Sequence, residues 1–133
     1  MKFASAIAAA LLLSLSAGPG YASGDAAKGK KLFSRCKSCH SVVEGKRKIG
    51  PSLFGVVGRP AASTAKYKYS SSLKAAGAKG LKWDEDNIKK YLKDPTAFLK
   101  EYLGVKSVKN KMKNKYRKES LREDIIAYLK TVK

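Results

Sequence analysis

The chain has 133 residues, which is enough for one modest domain. It carries 29 lysines and arginines against 10 aspartates and glutamates, a formal net charge of +19. A charge of this size indicates acidic partners and fast, salt-sensitive association. With only two cysteines, the chain is not a disulfide-dense secreted scaffold.

The N-terminal residues have the pattern of a cleaved export signal. Lys2 supplies a positive charge, an apolar run extends from Ile7 to Leu15, and Gly20 and Ala22 are small residues at the positions that a signal peptidase reads. The run is too short to cross a bilayer, which disfavours the alternative of an uncleaved anchor. We expect a signal peptide over residues 1–22, a mature domain over residues 23–133, no stable membrane insertion and, in a bacterium, a periplasmic location.

Apolar periodicity predicts short helices joined by long loops, and no sustained strand pattern is present. The expected helices lie at residues 25–34, at residues 71–76 with Gly77 as the stop, after the cap Asp84, after the cap Asp94 with Pro95 in the first turn, and after a capping box at Ser120-Leu121-Arg122-Glu123. The predicted class is therefore all-α, with three to five short helices. So few large apolar residues remain that a bound apolar group would be needed to complete the core.

The main chemical signal is the motif Cys36-Lys37-Ser38-Cys39-His40. Two thiols at this spacing can each form a thioether with a haem vinyl group, and the following histidine can then bind the iron. A thioredoxin-like redox pair would require a βαβ setting, and a structural zinc site would require four ligands. A simple Cys36–Cys39 disulfide is a further alternative. Haem attachment is favoured because it uses both cysteines and the only histidine of the chain.

The sixth ligand of such an iron would come from Met112. Met1 is removed with the signal, so Met112 is the only methionine of the expected mature chain. It lies in a strongly polar stretch, where a methionine that merely fills the core would be unusual. A thioether is a soft ligand that raises the reduction potential of haem iron.

Motifs spread over nearly the whole mature chain resemble those of the class I cytochromes c. They are Gly24-Asp25, Gly29, Phe33, the haem motif, Gly50-Pro51-Ser52-Leu53, Gly55, Gly58-Arg59, Trp83, Tyr91-Leu92, Asp94-Pro95, Lys111-Met112 and the run from Arg122 to Lys130. Within that family the chain most resembles the bacterial cytochromes c2, which are relatives of the mitochondrial carrier. The resemblance implies the class I cytochrome c fold, with helices and long loops wrapped around one covalent haem c.

The resemblance also implies a role for particular residues. Cys36 and Cys39 would carry the thioethers, and His40 and Met112 would be the axial ligands. The Pro51 carbonyl would accept a hydrogen bond from His40. The remaining roles fall to four residues: Arg59, Tyr69 and Trp83 would hold a buried haem propionate, and Tyr91 would lie near the methionine sulfur. Gly29 and Phe33 would pack against Ile125 and Tyr128, where the first and last helices cross.

The chain departs from the family in three places. The stretch from Pro95 to Met112 and the segment between Arg59 and Trp83 are longer than in the mitochondrial protein. The threonine that usually stands two residues before the methionine is Asn110 here.

Basic residues without an acid occupy the stretch from Lys106 to Lys118, and Lys46-Arg47-Lys48 follows the haem motif. In the implied fold both segments would surround the exposed haem edge and steer it toward acidic partner surfaces. These features predict a monomeric electron carrier, not an enzyme, that moves single electrons from a quinol-oxidising complex to a terminal oxidase or a photosynthetic reaction centre.

Three alternatives were weighed against this carrier. A dedicated electron acceptor of a periplasmic dehydrogenase would need the same haem and charged face. A haem enzyme or gas binder with an open iron site is disfavoured by Met112 and by the early position of the haem motif. A nucleic-acid or membrane-surface protein is disfavoured because lysine far outnumbers arginine, the residue that base and phosphate recognition favours.

Overall fold

The computed structural model describes residues 24–133. The predicted signal peptide, residues 1–22, lies outside these residues. The five helices are α1 (Ala26–Leu32), α2 (Ser71–Ala78), α3 (Glu85–Lys93), α4 (Pro95–Leu103) and α5 (Glu119–Leu129). A 3₁₀ turn over Phe33–Arg35 follows α1, and the only strand-like pairing among residues 24–133 is an isolated bridge between Pro60 and Lys82. The all-α prediction is confirmed.

The first and last helices cross with their backbones in close contact, as the family resemblance implied. Asp25 caps α1, because its carboxylate accepts hydrogen bonds from the amides of Ala27 (2.9 Å) and Lys28 (3.0 Å). A Cβ atom at Gly29 would lie 1.9 Å from the Asp124 carbonyl oxygen of α5. Only glycine therefore allows the two helices to approach this closely.

The predicted caps of α3 and α4 are confirmed. The Asp84 carboxylate accepts a hydrogen bond from the Asn87 amide at 2.8 Å, and the Asp94 carboxylate accepts one from the Ala97 amide at 3.0 Å. Pro95 occupies the first turn of α4, where its missing N–H costs nothing. Gly104 ends α4 in the left-handed conformation (φ 67°).

The predicted capping box at the start of α5 is wrong. The helix begins at Glu119, two residues before the start that the capping box implied, and the capping position is Lys118, whose side chain makes no capping hydrogen bond. Ser120 lies inside the first turn, and Glu123 pairs with Lys89 (Nζ–Oε1 3.0 Å) instead of reaching back to the helix end. The long-range ion pair has displaced the local capping pattern.

The end predicted for α2 is also wrong, because the helix passes through Gly77 and continues to Ala78. Ser70 caps its start by accepting a hydrogen bond from the Leu73 amide at 3.2 Å. A Cβ atom at Gly77 would lie 2.4 Å from the Ala61 carbonyl oxygen. Gly77 therefore serves a close backbone contact and does not stop the helix.

The helices pack around one buried apolar cluster. Its larger members include Phe33, Leu81, Trp83, Leu99 and Ile125, each of which is 9% exposed or less. Within residues 24–133, the helices are all too short or too polar to cross a membrane. The cluster does not close on itself: several of its members face a large cavity.

Candidate functional site

A deep cavity lies between the helices and the long loops. Including its open mouth, it encloses about 1250 Å³. Its walls are mainly apolar, with Leu53, Val56, Ile88, Ile125 and Leu129 among them. All nine predicted site residues line it: Cys36, Cys39, His40, Pro51, Arg59, Tyr69, Trp83, Tyr91 and Met112. The folded chain thus leaves a space for a large apolar group at the predicted position.

The haem motif enters the cavity on a tight turn that continues from α1. The Cys36 amide donates to the Phe33 carbonyl at 2.8 Å, and the His40 amide donates to the Cys36 carbonyl at 2.8 Å. Cys36 and Cys39 are both free thiols, so the alternative of a disulfide between them finds no support. Burial raises the pKa of the Cys36 thiol. The turn places both thiols and the imidazole along one cavity wall.

The His40 ring is held by the loop on its far side. Its Nδ1 lies 2.8 Å from the Pro51 carbonyl oxygen. Since a carbonyl can only accept, Nδ1 carries the proton and Nε2 keeps a free lone pair. Burial lowers the pKa of His40, which favours the neutral imidazole. A Cβ atom at Gly50 would lie 2.4 Å from His40 Cε1, so glycine is required where the chain passes the ring.

Met112 lies on the strap, which we define as residues 104–118 between α4 and α5. The strap contains no helix or strand and is tied down at separate points. The Lys109 amide donates to Ser72 Oγ at 2.8 Å, and the Tyr116 amide donates to the Leu92 carbonyl at 2.8 Å. These bonds hold Met112 half-buried at the cavity wall.

Arg59 presents a half-buried positive charge to the cavity. Its guanidinium donates to the carbonyl oxygens of Phe54 (2.9 Å) and Ser52 (3.0 Å). No carboxylate among residues 24–133 forms an ion pair with it. Burial lowers the pKa of Arg59, while the neighbouring Tyr69 opposes this shift. A buried cation without an anion in the protein indicates that the cavity receives a negatively charged group.

Trp83 and Tyr69 complete the same polar part of the wall. The Trp83 ring meets the Tyr91 ring edge-on, with centroids 4.8 Å apart. The Tyr69 hydroxyl is hydrogen-bonded to the Thr64 side chain, and it also accepts from the Thr64 amide at 3.2 Å. The sequence did not indicate this partner, because Thr64 lies in an irregular loop.

Tyr91 lies in the same cavity wall as Met112. Its hydroxyl donates a hydrogen bond to Asn110 Oδ1 at 3.3 Å. Burial raises the pKa of Tyr91 to about 12, although the bond to Asn110 opposes that rise. The hydroxyl therefore keeps its proton at neutral pH.

Three further residues support the site and were not singled out as site residues from the sequence. The Tyr67 hydroxyl donates to the Ile49 carbonyl at 3.0 Å, and the Tyr116 hydroxyl lies 3.9 Å from Cys36 Sγ. The buried Arg122 donates through Nη1 to the carbonyls of Tyr116 (2.7 Å) and Arg117 (2.6 Å). Arg122 belongs to the C-terminal motif, but only the folded chain shows that it anchors the strap.

Charge is distributed unevenly over the surface. Ion pairs lie mainly on α3 and α5, where Lys89 pairs with Glu119 and Glu123 and Lys130 pairs with Glu85. In the strap, Lys115 pairs with Asp94 at 2.7 Å. Its other basic residues are exposed and form no ion pair within residues 24–133; they are Lys106, Lys109, Lys111, Lys113, Arg117 and Lys118. The strap, which lines part of the cavity, is therefore strongly basic on its exposed side.

The site fits a haem by its own chemistry. The thiols of Cys36 and Cys39 are free and line a large apolar cavity. The same cavity wall contains the His40 imidazole with a free Nε2, the Met112 thioether and the half-buried Arg59 guanidinium, which has no carboxylate partner. Among residues 24–133 there is no cluster of three or more His, Cys, Asp or Glu side chains that could hold a bare metal ion. A structural zinc site is thus not supported.

Comparisons with known proteins agree with this arrangement. The sequence model of the family "Cytochrome c" matches residues 26–133. Cytochrome c2 of Rhodobacter capsulatus is 45% identical over 139 residues, covering 99% of this chain and 97% of the relative. Cytochrome c-551 of Roseobacter denitrificans is 45% identical, covering 95% of this chain and 94% of the relative.

Solved structures share the fold. Cytochrome c2 from Rhodospirillum centenum aligns with a TM-score of 0.78 at 40% identity, covering 82% of this chain and 98% of the other. The crystallographic structure of Rhodobacter capsulatus cytochrome c2 aligns with a TM-score of 0.75 at 46% identity and the same coverage.

Proposed function

The chain belongs to the cytochrome c family, and we propose that it is a soluble periplasmic carrier of single electrons from a quinol-oxidising complex to a terminal oxidase or a photosynthetic reaction centre. The resemblance to class I cytochromes c, closest to the bacterial cytochromes c2, is confirmed, as is the class I fold. The cofactor is haem c, attached through Cys36 and Cys39, and the activity is electron transfer, not enzymatic catalysis. When bound, the haem supplies the one-electron redox chemistry.

One observation carries the proposal: the two free thiols, His40 and Met112 all line one apolar cavity. We propose that His40 and Met112 would hold the haem iron from within this cavity. The bond from Nδ1 to the Pro51 carbonyl leaves His40 Nε2 free to bind iron and holds the ring in one orientation. Met112 offers a neutral thioether, and the strap bonds keep it at the cavity wall.

The polar wall of Arg59, Tyr69 and Trp83 would hold the haem carboxylates. The half-buried guanidinium has no carboxylate partner in the described chain, so an anionic haem substituent would complete an ion pair. Its two hydrogen bonds to the carbonyls of Ser52 and Phe54 keep the guanidinium plane in place before the haem arrives.

The rest of the cavity wall serves electron transfer by excluding water. Leu53, Val56, Ile88 and Ile125 surround the site with apolar surface, which raises the cost of the charged ferric state relative to the ferrous one. No bond in the chain has to form or break during transfer. Helices packed as closely as α1 and α5 would change little between the two redox states.

The partners that we propose present acidic docking surfaces to the basic, exposed side of the strap. Its exposed lysines would accelerate encounter, while a contact made largely of exposed charges dissociates quickly. A shuttle needs both properties. Rates of electron transfer to an acidic partner should fall steeply as salt rises. Stopped-flow rates that do not change with salt would contradict this steering.

The first experiment is the absorbance spectrum of the protein produced together with a haem-attachment system. Haem that survives denaturation, sharp low-spin bands after reduction and a weak sulfur-to-iron band in the oxidised form would support a covalent His/Met haem. Attached haem with a high-spin spectrum would instead indicate an open iron site. Absence of attached haem would refute the carrier.

The ligand role of Met112 is tested separately. Met112→Ala should keep the covalent haem and lower the reduction potential sharply, because the thioether favours ferrous iron. Potentiometry measures the shift, and Met112→Leu serves as the variant of similar size. An unchanged potential in both variants would remove Met112 as the ligand.

A further inference from the structure

Asn110 is buried in a segment whose neighbours are exposed. Its side chain is 9% exposed, while Lys109 and Lys111 on either side face solvent. The strap is strongly basic and polar, so an inward-facing amide here is not part of an apolar stripe. A buried amide is costly unless its donor and acceptor are both satisfied.

Both ends of the Asn110 amide are satisfied, and by different elements. Nδ2 donates to the Met112 carbonyl oxygen at 2.7 Å, within the strap. Oδ1 accepts from the Tyr91 hydroxyl of α3 at 3.3 Å. The Asn110 side chain therefore connects the backbone of Met112 with a helix on the cavity wall.

The direction of these bonds follows from chemistry. The Met112 carbonyl can only accept, so the amide NH₂ group faces it and Oδ1 is left for Tyr91. The Tyr91 hydroxyl must then be the donor, and burial raises its pKa to about 12, so it retains the proton. The result is one directed chain of hydrogen bonds from Tyr91 through Asn110 to Met112.

We propose that Asn110 is a positioning residue that keeps the strap closed over the haem and commits the Tyr91 proton to an amide oxygen, so that this proton is not shared with the Met112 sulfur. The proposal rests on the proposed function, in which Met112 binds the iron. A threonine, which the family resemblance implies at this position, would offer a single hydroxyl, whereas the amide has a separate donor and acceptor. The departure at Asn110 is thus a property of this chain.

The closed strap is tested by imidazole binding to the ferric, haem-loaded protein, since imidazole must replace Met112 at the iron. Asn110→Leu removes both hydrogen bonds while keeping a side chain of similar volume. This variant should bind imidazole roughly fivefold to tenfold more tightly, because the strap has lost its hydrogen-bonded anchor. Asn114→Leu is the matched control. Asn114 also lies two residues from Met112 and lines the same cavity, but it is exposed, and its side chain makes no hydrogen bond within residues 24–133.

The link through Tyr91 is tested by a double-mutant cycle. Tyr91→Phe should tighten imidazole binding less than Asn110→Leu, and the double variant should bind no more tightly than Asn110→Leu alone. Additive effects, or an imidazole affinity of Asn110→Leu equal to that of the unsubstituted protein, would overturn the proposal. If Asn110→Leu does not accumulate, Asn110→Ala, which also removes both hydrogen bonds, replaces it in the same cycle with the same criteria.

The position of the Tyr91 proton has its own spectroscopic readout. In Asn110→Leu the freed hydroxyl can turn to the Met112 sulfur, which should shift the sulfur-to-iron band, and adding Tyr91→Phe should reverse that shift. A band unaffected by Asn110→Leu contradicts the proposal. If the unsubstituted protein lacks the band, Met112 is not the ligand and the proposed function fails with it. A normal band with additive variants overturns the role of Asn110 alone.

Discussion

The strap lines the same cavity as the crossing of α1 and α5, but these two regions of the chain are held in place in different ways. At the crossing, backbones touch: Gly29 lies against the Asp124 carbonyl, and the rings of Phe33 and Tyr128 pack with centroids 5.4 Å apart. The strap has no regular structure and is held by single hydrogen bonds, such as Lys109 to Ser72 and Arg122 to Tyr116.

This difference separates two tasks of a haem protein. The crossing leads directly into the turn of Cys36, Cys39 and His40, so the attachment side is built on a tightly packed base. The strap supplies Met112 from a segment without regular structure, and such a segment belongs to the part of a fold that opens most easily. The crossing thus provides global stability, and in the proposed function the strap controls access to the iron.

The largest effect is expected at the crossing. Gly29→Ala would place a Cβ atom 1.9 Å from the Asp124 carbonyl oxygen, and backbone cannot move aside as a flexible side chain can. We expect the free energy of unfolding of the haem-loaded protein to fall by about 3 kcal/mol or more, measured by urea denaturation. Lys30→Ala, at an exposed position of α1, should change it little. Equal stability of the two variants would refute the close-contact role of Gly29.

An intermediate effect is expected where α3 meets the strap, at Tyr91. Its pKa is raised from 10.0 to about 12 in the folded chain, so the folded state holds the proton after the unfolded state has lost it. The stabilisation is therefore complete below pH 10 and is lost between pH 10 and 12, an effect of roughly 2–3 kcal/mol.

Comparison of unfolding curves for the unsubstituted protein and Tyr91→Phe isolates this contribution. The variant should lose less stability over the same pH interval, because it has no hydroxyl to titrate. Parallel pH dependences of the two proteins would show that the Tyr91 proton does not contribute.

The smallest effect is expected within the strap. Ser72→Ala removes the acceptor for the Lys109 amide and should cost about 1 kcal/mol of local stability. Hydrogen exchange of the Lys109 amide should accelerate roughly fivefold, while global unfolding changes little. Ser71→Ala, on the exposed side of the same helix, is the matched control. A comparable change in global unfolding would mean that the strap and the crossing are not separate units.

The sequence alone determined what depends on nearby residues. It predicted the haem motif, the single methionine of the expected mature chain and the caps Asp84 and Asp94. The motif and the caps act on residues within about one helical turn, so they can be recognised from neighbouring residues in the sequence. The resemblance to the family added the tertiary contact of Gly29 with the last helix, which is present in the folded chain.

The tertiary structure decided what depends on residues distant in sequence. Glu123 pairs with Lys89 instead of capping α5, Gly77 is required by the Ala61 carbonyl instead of ending α2, and Tyr91 donates to Asn110. Local patterns predict which bonds a side chain can make, but several partners in the chain could often satisfy the same polar group equally well. Only the folded chain, by burying some groups and bringing others within hydrogen-bond distance, selects the partner.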